Sequence, residues 1–165
     1  MGLYYACYRL SRMGWNVMPT ARNARGIDII AYNGDATDFM GVQVKALSKR
    51  SPVPLGGSLD KVMGRFWIIV NNLLKEPRAF ILRPNEVKEL AARGEKDGRV
   101  SYWLQPVAYD KPEFREAWGR IGYGDARPDE AQQPTPPCSL RAELPRQAAN
   151  AVPGHGEQGR RQTRR

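Results

Sequence analysis

The start of the chain carries apolar side chains at the spacing of an amphipathic helix. Five of them fall on one helical face: Leu3, Ala6, Cys7, Leu10 and Met13. Gly14 follows directly, and glycine is a favourable residue just beyond a helix end. The pattern therefore predicts a helix over residues 3–13.

Short apolar runs follow this helix and predict strands. They lie at 15–18, 27–32, 39–46, 66–70, 78–82 and 100–104. The turn sequence Asn33-Gly34-Asp35 joins the second and third runs and predicts a hairpin. The run at 66–70 is apolar at every position, so we expect that strand to be buried on both faces.

The remaining stretches of the folded part predict helices and one long loop. The segment 48–57 is basic and rich in proline and glycine, which indicates a loop. We expect helices over 59–63, 84–93 and 112–121. The second of these has Pro84 in its first turn and Gly94 at its stop. Antiparallel pairing early and a crossover later predict an α/β fold with a mixed sheet flanked by helices.

The composition changes after Ile121. Residues 123–165 contain six prolines and a single aromatic residue, Tyr123. Such a segment cannot bury enough apolar surface to offset its chain entropy. The sequence therefore predicts a domain over 1–122 and a disordered tail over 123–165.

Charge indicates the kind of partner. The 165 residues include 26 Lys and Arg against 17 Asp and Glu, a formal net charge of +9. This surplus favours nucleic acid first and a membrane surface second. No run approaches the ~18 apolar residues of a membrane-spanning helix. The N-terminus lacks the layout of a signal peptide, so we expect a cytoplasmic protein without membrane association.

Cysteine and histidine are too few for several classes of site. Cys7 and Cys138 lie far apart, and His155 is the single histidine of the chain. A disulfide framework, a Cys-rich zinc site and a Ser-His-Asp or Cys-His catalytic site are therefore excluded. Any chemistry must use carboxylates, amides, lysines and the backbone.

One group of polar residues interrupts two of the apolar runs. Asp28 lies within the second run, where an unpaired carboxylate is costly. Gln43 and Lys45 share one face of the third strand, because side chains two residues apart point the same way. The hairpin would bring Asp28 beside them. Oxygens of Asp28, Gln43 and the Val44 backbone would suit a divalent cation, Mg²⁺ or Mn²⁺, and Lys45 could stabilise charge on a phosphate.

Two other interpretations of these residues stay open. Asp28 could accept hydrogen bonds from Arg25 or Lys45 in a structural ion pair. Gln43 and Lys45 could form an exposed polar strand face. Either arrangement would be structural, with no catalytic role.

The sequences Gly26-Ile27-Asp28-Ile29-Ile30 and Val42-Gln43-Val44-Lys45 resemble the PD-(D/E)XK nuclease superfamily, which includes restriction endonucleases and archaeal Holliday-junction resolvases. The stretch 14–51 also looks similar to bacterial members. The resemblance implies a restriction-endonuclease-like αβββαβ core and a metal-dependent DNA endonuclease. Asp28 would be a metal ligand and Lys45 the catalytic lysine. Gln43 would occupy the second acidic position, in a QxK variant of the motif.

One departure from the family pattern affects the proposed site. Many members carry a Glu on the first helix, whereas no Asp or Glu occurs from Met1 to Ile27. Leu3 is the position we expect to correspond to that Glu. A catalytically degenerate nuclease fold that only binds nucleic acid is therefore an alternative. A third is an interaction domain with a basic surface.

Basic and polar residues flank the motif on both sides. Arg22, Asn23 and Arg25 precede the Asp28 strand, and Lys49 and Arg50 follow Lys45. We expect these residues to contact the DNA backbone, although ordinary solvated loops would have the same composition. The partner is thus expected to be DNA, and a homodimer is left open.

Overall fold

The structure of the protein is a computed structural model, which describes residues 1–21 and 26–125. Its helices are α1 (Gly2–Ser11), α2 (Pro84–Glu89) and α3 (Pro106–Tyr109), with 3-10 turns at Leu59–Lys61 and Trp118–Arg120. Its strands are β1 (Asn16–Pro19), β2 (Ile29–Tyr32), β3 (Phe39–Ala46), β4 (Val53–Gly56), β5 (Phe66–Asn71), β6 (Arg78–Leu82), β7 (Ala92–Lys96) and β8 (Arg99–Leu104). The predicted α/β class is confirmed. Among the described helices, none has the length and hydropathy needed to cross a membrane.

A five-stranded mixed sheet forms the centre of the fold, in the order β1-β2-β3-β5-β6. The pairs β1–β2, β2–β3 and β5–β6 are antiparallel, whereas β3 and β5 are parallel. The predicted hairpin of β2 and β3 is confirmed, with Ile29 opposite Val42. The parallel pair requires a crossover, as predicted. The crossover between β3 and β5 contains β4 and the 3-10 turn Leu59–Lys61. The helix expected over 59–63 is therefore only this short turn.

A second, three-stranded sheet has the order β4-β8-β7 and corrects two predictions. The segment 48–57 is not entirely loop, because Val53–Gly56 forms β4. The helix predicted over 84–93 ends at Glu89, and Gly94 lies within β7. Asp97 and Gly98 have φ values of 51° and 70° and turn the β7–β8 hairpin. This turn needs positive φ at both central residues, which Asp-Gly tolerates.

The closing helix predicted over 112–121 is also wrong. Its central part runs beside β6, where the Ile81 amide donates to the Phe114 carbonyl at 2.9 Å. The Glu116 amide likewise donates to the Ala79 carbonyl at 2.8 Å. These bonds to the edge of the sheet satisfy backbone groups that a helix would have paired locally. Within 112–121, the helical part is the 3-10 turn Trp118–Arg120, and the short helix α3 lies before this segment.

Each face of the large sheet is covered by its own hydrophobic core. The α1-side core joins α1 to alternate residues of the strands, among them Ile29, Val42 and Ile68. The second core lies on the opposite face and includes Trp67 and Ile69. All six residues of β5 are buried, which confirms the prediction from its continuous apolar run.

The described chain remains in contact with the domain as far as Asp125. The Trp15 indole donates to the Gly122 carbonyl at 3.0 Å, and the Gly124 amide donates to the Met13 carbonyl at 3.0 Å. The Asp125 carboxylate accepts from the Gly34 amide at 2.8 Å. Residues 123–125 therefore pack on the domain, although the sequence assigned them to the tail. The rest of the predicted tail lies outside the described residues.

Candidate active site

Asp28 lies immediately before β2 and is joined to β3 by two hydrogen bonds. Its backbone amide donates to the Val42 carbonyl at 2.9 Å. Its carboxylate oxygen Oδ2 accepts from the backbone amide of Val44 at 2.7 Å. The Asp28 carboxylate thus accepts from a β3 amide at the point where the backbone pairing of β2 and β3 ends. The structure therefore places Asp28 beside the Gln43-Val44-Lys45 segment, as the sequence predicts.

The register of the hairpin determines which face of the sheet the site residues occupy. Ile29 and Val42 lie opposite each other and both belong to the α1-side core. Because side chains alternate along a strand, Gln43 and Lys45 lie on the face of β3 opposite to Val42. Gln43 also lies opposite Trp67 of β5, which belongs to the second core. Asp28 precedes β2, and its carboxylate reaches the β3 backbone at Val44, the residue between Gln43 and Lys45.

The Gln43 side chain is buried beside this carboxylate. Gln43 is only 8% exposed, so the interpretation as an exposed polar face is wrong for this residue. Within the described structure, its oxygen Oε1 is buried and has no hydrogen-bond partner. An unsatisfied buried oxygen costs about 1–3 kcal/mol. Gln43 thus offers a dehydrated oxygen that a donor or a cation could use.

Lys45 packs over an aromatic ring of the neighbouring strand. Its Nζ lies 5.5 Å from the centroid of the Trp67 ring, within the range of a cation–π interaction. The Trp67 indole donates to the Met63 carbonyl at 3.1 Å, which fixes the ring. No ion pair joins Lys45 to Asp28 among the described residues. The sequence identified Trp67 as a core residue, but its contact with Lys45 depends on the β3–β5 register.

The donors gathered here are all oxygens. The N–H and C=O of one strand residue point to the same side, so the Val44 carbonyl lies on the side of β3 that faces Asp28. Together with Gln43 Oε1 and the Asp28 carboxylate, it makes a set that fits Mg²⁺ or Mn²⁺ in kind. Across the described residues, no group of three or more His, Cys, Asp or Glu side chains could hold a metal. Asp28 is the one member of this donor set that carries a negative charge.

The first turn of α1 approaches the end of β3. A Cβ on Gly2 would collide with the Cβ of Ala46, the residue after Lys45. Glycine is thus required for this close approach. Leu3 is half-buried and packs against the α1-side core together with Val44. The start of α1 is therefore close to the C-terminal end of β3, and the role expected of position 3 stays a prediction.

The basic loop after β3 is held by a polar cluster that the sequence analysis did not identify. Asp110 binds Arg50 Nε at 2.7 Å and Arg115 Nη2 at 2.6 Å. Burial alone would raise the pKa of Asp110, but the hydrogen bonds from Arg50 and Arg115 outweigh it and lower that pKa. The Tyr109 hydroxyl donates to the Ser51 carbonyl at 2.9 Å, and burial raises the pKa of Tyr109. Arg50 is thus ion-paired as well as basic.

The other residues expected to contact DNA differ in what the structure says of them. Lys49 is exposed at the surface of the same loop. Arg22, Asn23 and Arg25 lie outside the described residues. An ion pair between Arg25 and Asp28 therefore remains an open alternative. All five nucleic-acid contacts stay predictions.

No protein-family model matches the sequence, and no curated protein sequence matches it. Among solved structures, the chain is similar to Hjc, a Holliday junction resolvase from the archaeal hyperthermophile Archaeoglobus fulgidus. That match has 14% identity and a TM-score of 0.43, and it covers 65% of this chain and 90% of that chain. The chain is also similar to the bacterial homing endonuclease I-Ssp6803I. Here the identity is 18% and the TM-score 0.49, with 81% of this chain and 94% of that chain covered.

These are likenesses of fold between distant sequences. The QxK form of the motif stays a prediction.

Proposed function

We propose that this protein is a metal-dependent DNA endonuclease that hydrolyses phosphodiester bonds. The observation that carries the proposal is the Asp28 carboxylate bound to the amide of Val44, the residue after Gln43, whose side-chain oxygen is buried and has no partner among the described residues. A structural role for Asp28 alone would not explain why an amide oxygen is left unsatisfied beside it. The sequence motif around Asp28 and Lys45 supports the same function.

Each residue of the site has a distinct role in this proposal. Asp28, Gln43 and the Val44 carbonyl would hold a divalent cation, whose chemistry when bound is Lewis-acid polarisation of a phosphate. Lys45 would donate to a phosphate oxygen and stabilise the negative charge that grows as water attacks phosphorus. The P–O bond to the leaving oxygen then breaks, the leaving oxygen takes a proton from solvent, and the attacking water loses one to solvent.

The basic residues around the site would position the DNA backbone. Lys49 is exposed and would contact a phosphate, as would Arg22 and Arg25 before Asp28. Arg50 would act mainly by fixing the loop, because Asp110 already binds its Nε atom. Replacing one phosphate-binding side chain with alanine should reduce the salt-dependence slope of duplex binding by about 0.9.

A plasmid-nicking assay with Mg²⁺, Mn²⁺ or EDTA tests the proposal. We expect nicking that requires the metal and is lost in Lys45→Met, which keeps an unbranched side chain over the Trp67 ring. Lys49→Ala is the control, because it removes an exposed lysine outside the donor set and should only weaken binding. Nicking by Lys45→Met at the wild-type rate, with its fold intact, would overturn the role of Lys45.

A second candidate function is nucleic-acid binding without cleavage. It is favoured by the single carboxylate of the donor set, which neutralises only part of a divalent charge. In that case the wild-type protein would bind duplex DNA in a salt-dependent manner but would not nick it with either metal. The same assay, run beside a binding titration, separates the two functions.

A further inference from the structure

A cavity of about 570 Å³ lies between the C-terminal end of α1 and the segment 118–123. Its lining includes Tyr8, Arg12, Met13 and Trp118. The volume falls within the range of about 300–1,000 Å³ typical of small-molecule sites. Since α1 and Gln43 lie on opposite faces of the large sheet, this cavity is separate from the candidate active site.

The base of the cavity is fixed by a polar network. The Arg9 guanidinium lies 4.6 Å from the centroid of the Trp118 ring and pairs with Glu116 at 3.1 Å. The same carboxylate accepts from the Trp118 indole at 2.8 Å. Arg9 is therefore neutralised, and one face of the Trp118 ring is covered. These residues shape the cavity but leave little for a ligand to bind.

The mouth of the cavity has a different chemistry. Tyr8 is 58% exposed. Arg12 donates to the Tyr8 hydroxyl at 3.2 Å, and no carboxylate pairs with Arg12 among the described residues. No acidic residue lines the cavity either, within the part of the chain that the structure describes. An exposed aromatic ring beside an arginine is a combination that binds unpaired nucleotides, by stacking on the base and by contact with the phosphate.

We propose that this cavity binds an unpaired nucleotide of a nucleic-acid strand, with the base on Tyr8 and the phosphate at Arg12. The choice of nucleic acid as the ligand rests on the proposed function. An acidic peptide would satisfy Arg12 but would leave the exposed Tyr8 ring without a role. The inference adds to the proposed function a second, single-strand-selective contact on the far face of the sheet.

Fluorescence anisotropy with a short labelled oligothymidylate in EDTA tests the proposal. Because a stacked base loses about fivefold or more in affinity on alanine substitution, Tyr8→Ala should weaken binding by at least that factor. Tyr8→Phe keeps the ring and should bind as the wild type does. Arg12→Ala should reduce the salt-dependence slope by about 0.7, the value for one single-strand phosphate.

Matched controls lie on the same protein. Tyr4 is an exposed tyrosine of α1 that does not line the cavity, and Arg99 is an exposed arginine of β8. Tyr4→Ala should leave affinity unchanged, and Arg99→Ala should leave the slope unchanged. Circular dichroism would establish that all four alanine variants fold.

Three outcomes would overturn the assignment. The first is that Tyr8→Ala binds the oligonucleotide as tightly as the wild type. The second is that Tyr4→Ala and Tyr8→Ala lose the same amount of affinity. The third is that polyglutamate at equal charge concentration displaces the oligonucleotide. Asp28→Asn serves to separate this proposal from the nuclease proposal, because it should bind oligothymidylate normally. If the wild type binds the oligonucleotide through Tyr8 but cleaves no DNA, the cavity assignment stands and the endonuclease fails.

Discussion

The carboxylate of Asp28 and the backbone amide of Val44 are joined by a 2.7 Å hydrogen bond at the point where β2 and β3 separate. The bond has a structural consequence, because it satisfies a strand amide that would otherwise lack an acceptor. It also has a chemical one, since it fixes the carboxylate beside Gln43 and the Val44 carbonyl. Asp28 therefore contributes both to stability and to the proposed site, and mutations can separate the two.

Asp28→Asn and Asp28→Ala should differ in stability but not in activity. Asparagine keeps an oxygen that can accept from the Val44 amide, so we expect its melting temperature to stay near that of the wild type. Alanine removes the acceptor and should cost about 1–3 kcal/mol of unfolding free energy. Both variants should lose metal-dependent nicking, because neither has a carboxylate. Nicking by Asp28→Asn at the wild-type rate would contradict the catalytic assignment.

Gln43 should show a conflict between stability and metal binding. Gln43→Leu removes the unsatisfied buried oxygen, so chemical denaturation without metal should show unchanged or increased stability, by up to about 1 kcal/mol. The same variant should no longer be stabilised by added Mn²⁺, because a ligand that binds only the folded state raises stability in proportion to its occupancy.

Placing a negative charge at position 43 tests the same role of Gln43 in metal binding from the opposite direction. Gln43→Glu adds a second carboxylate and should tighten Mn²⁺ binding by about tenfold or more, since affinity follows the charge of the ligand set. Without metal it should be less stable than the wild type, because it buries an additional charge. A Gln43→Leu variant that gains stability from Mn²⁺ as the wild type does would show that Oε1 is not a ligand.

Asp110 should contribute stability that disappears in acid. Its pKa is lowered in the folded state, because hydrogen bonds from Arg50 and Arg115 outweigh the effect of burial. A lowered pKa means that the unfolded chain takes up the proton first, so stability is lost as pH falls below about 4. Urea titrations of the wild type and Asp110→Asn should therefore differ by about 2 kcal/mol at neutral pH and converge in acid. A constant difference across this range would contradict the ion-pair cluster.

Local signals in the sequence were sufficient for much of the fold. β5 was predicted because every position of 66–70 is apolar, and the β2–β3 hairpin because Asn33-Gly34 is a strong turn signal. The β7–β8 hairpin was missed although Asp97-Gly98 is a similar signal. There, Pro84 and Gly94 suggested the two ends of one helix, and that interpretation hid the turn.

Other errors came from contacts that no local pattern encodes. β4 contains Pro54, which argues against a central strand, but β4 is an edge strand of its sheet and tolerates proline. The segment around Glu116 bonds to β6 instead of to its own neighbours. For the site, alternation along β3 placed Gln43 and Lys45 on one face. The Arg50–Asp110 pair joins residues 60 positions apart and has no comparable signal.

Residues 123–125 should contribute to the stability of the domain. Gly124 and Asp125 each bond to earlier parts of the chain, the latter to the amide of Gly34. A chain ending at Gly122 should therefore melt several degrees below one ending at Asp125, which corresponds to about 1 kcal/mol. Differential scanning calorimetry of the two truncations would decide this. Equal melting temperatures would show that residues 123–125 add nothing to stability.

The missing acidic residue of the first helix yields the last prediction. The start of α1 contacts β3 at Ala46, directly after Lys45, and Leu3 packs in the same core as Val44. Because the amide of Val44 binds the Asp28 carboxylate, we expect a carboxylate at position 3 to add a second negative charge near Asp28. Leu3→Glu should therefore bind Mn²⁺ more tightly, by about tenfold, and should nick DNA faster. Leu3 is only half-buried, so we expect the substitution to cost about 1 kcal/mol or less of stability.

Tyr4→Glu is the matched control for Leu3→Glu. It places the same charge one residue further along α1, on a side chain that is 72% exposed. If a general change in charge were enough, both variants would bind Mn²⁺ more tightly. If position 3 faces the donor set, only Leu3→Glu would do so, and isothermal titration calorimetry would separate the two. A stable Leu3→Glu variant that binds metal no better than Tyr4→Glu would show that α1 does not complete this site.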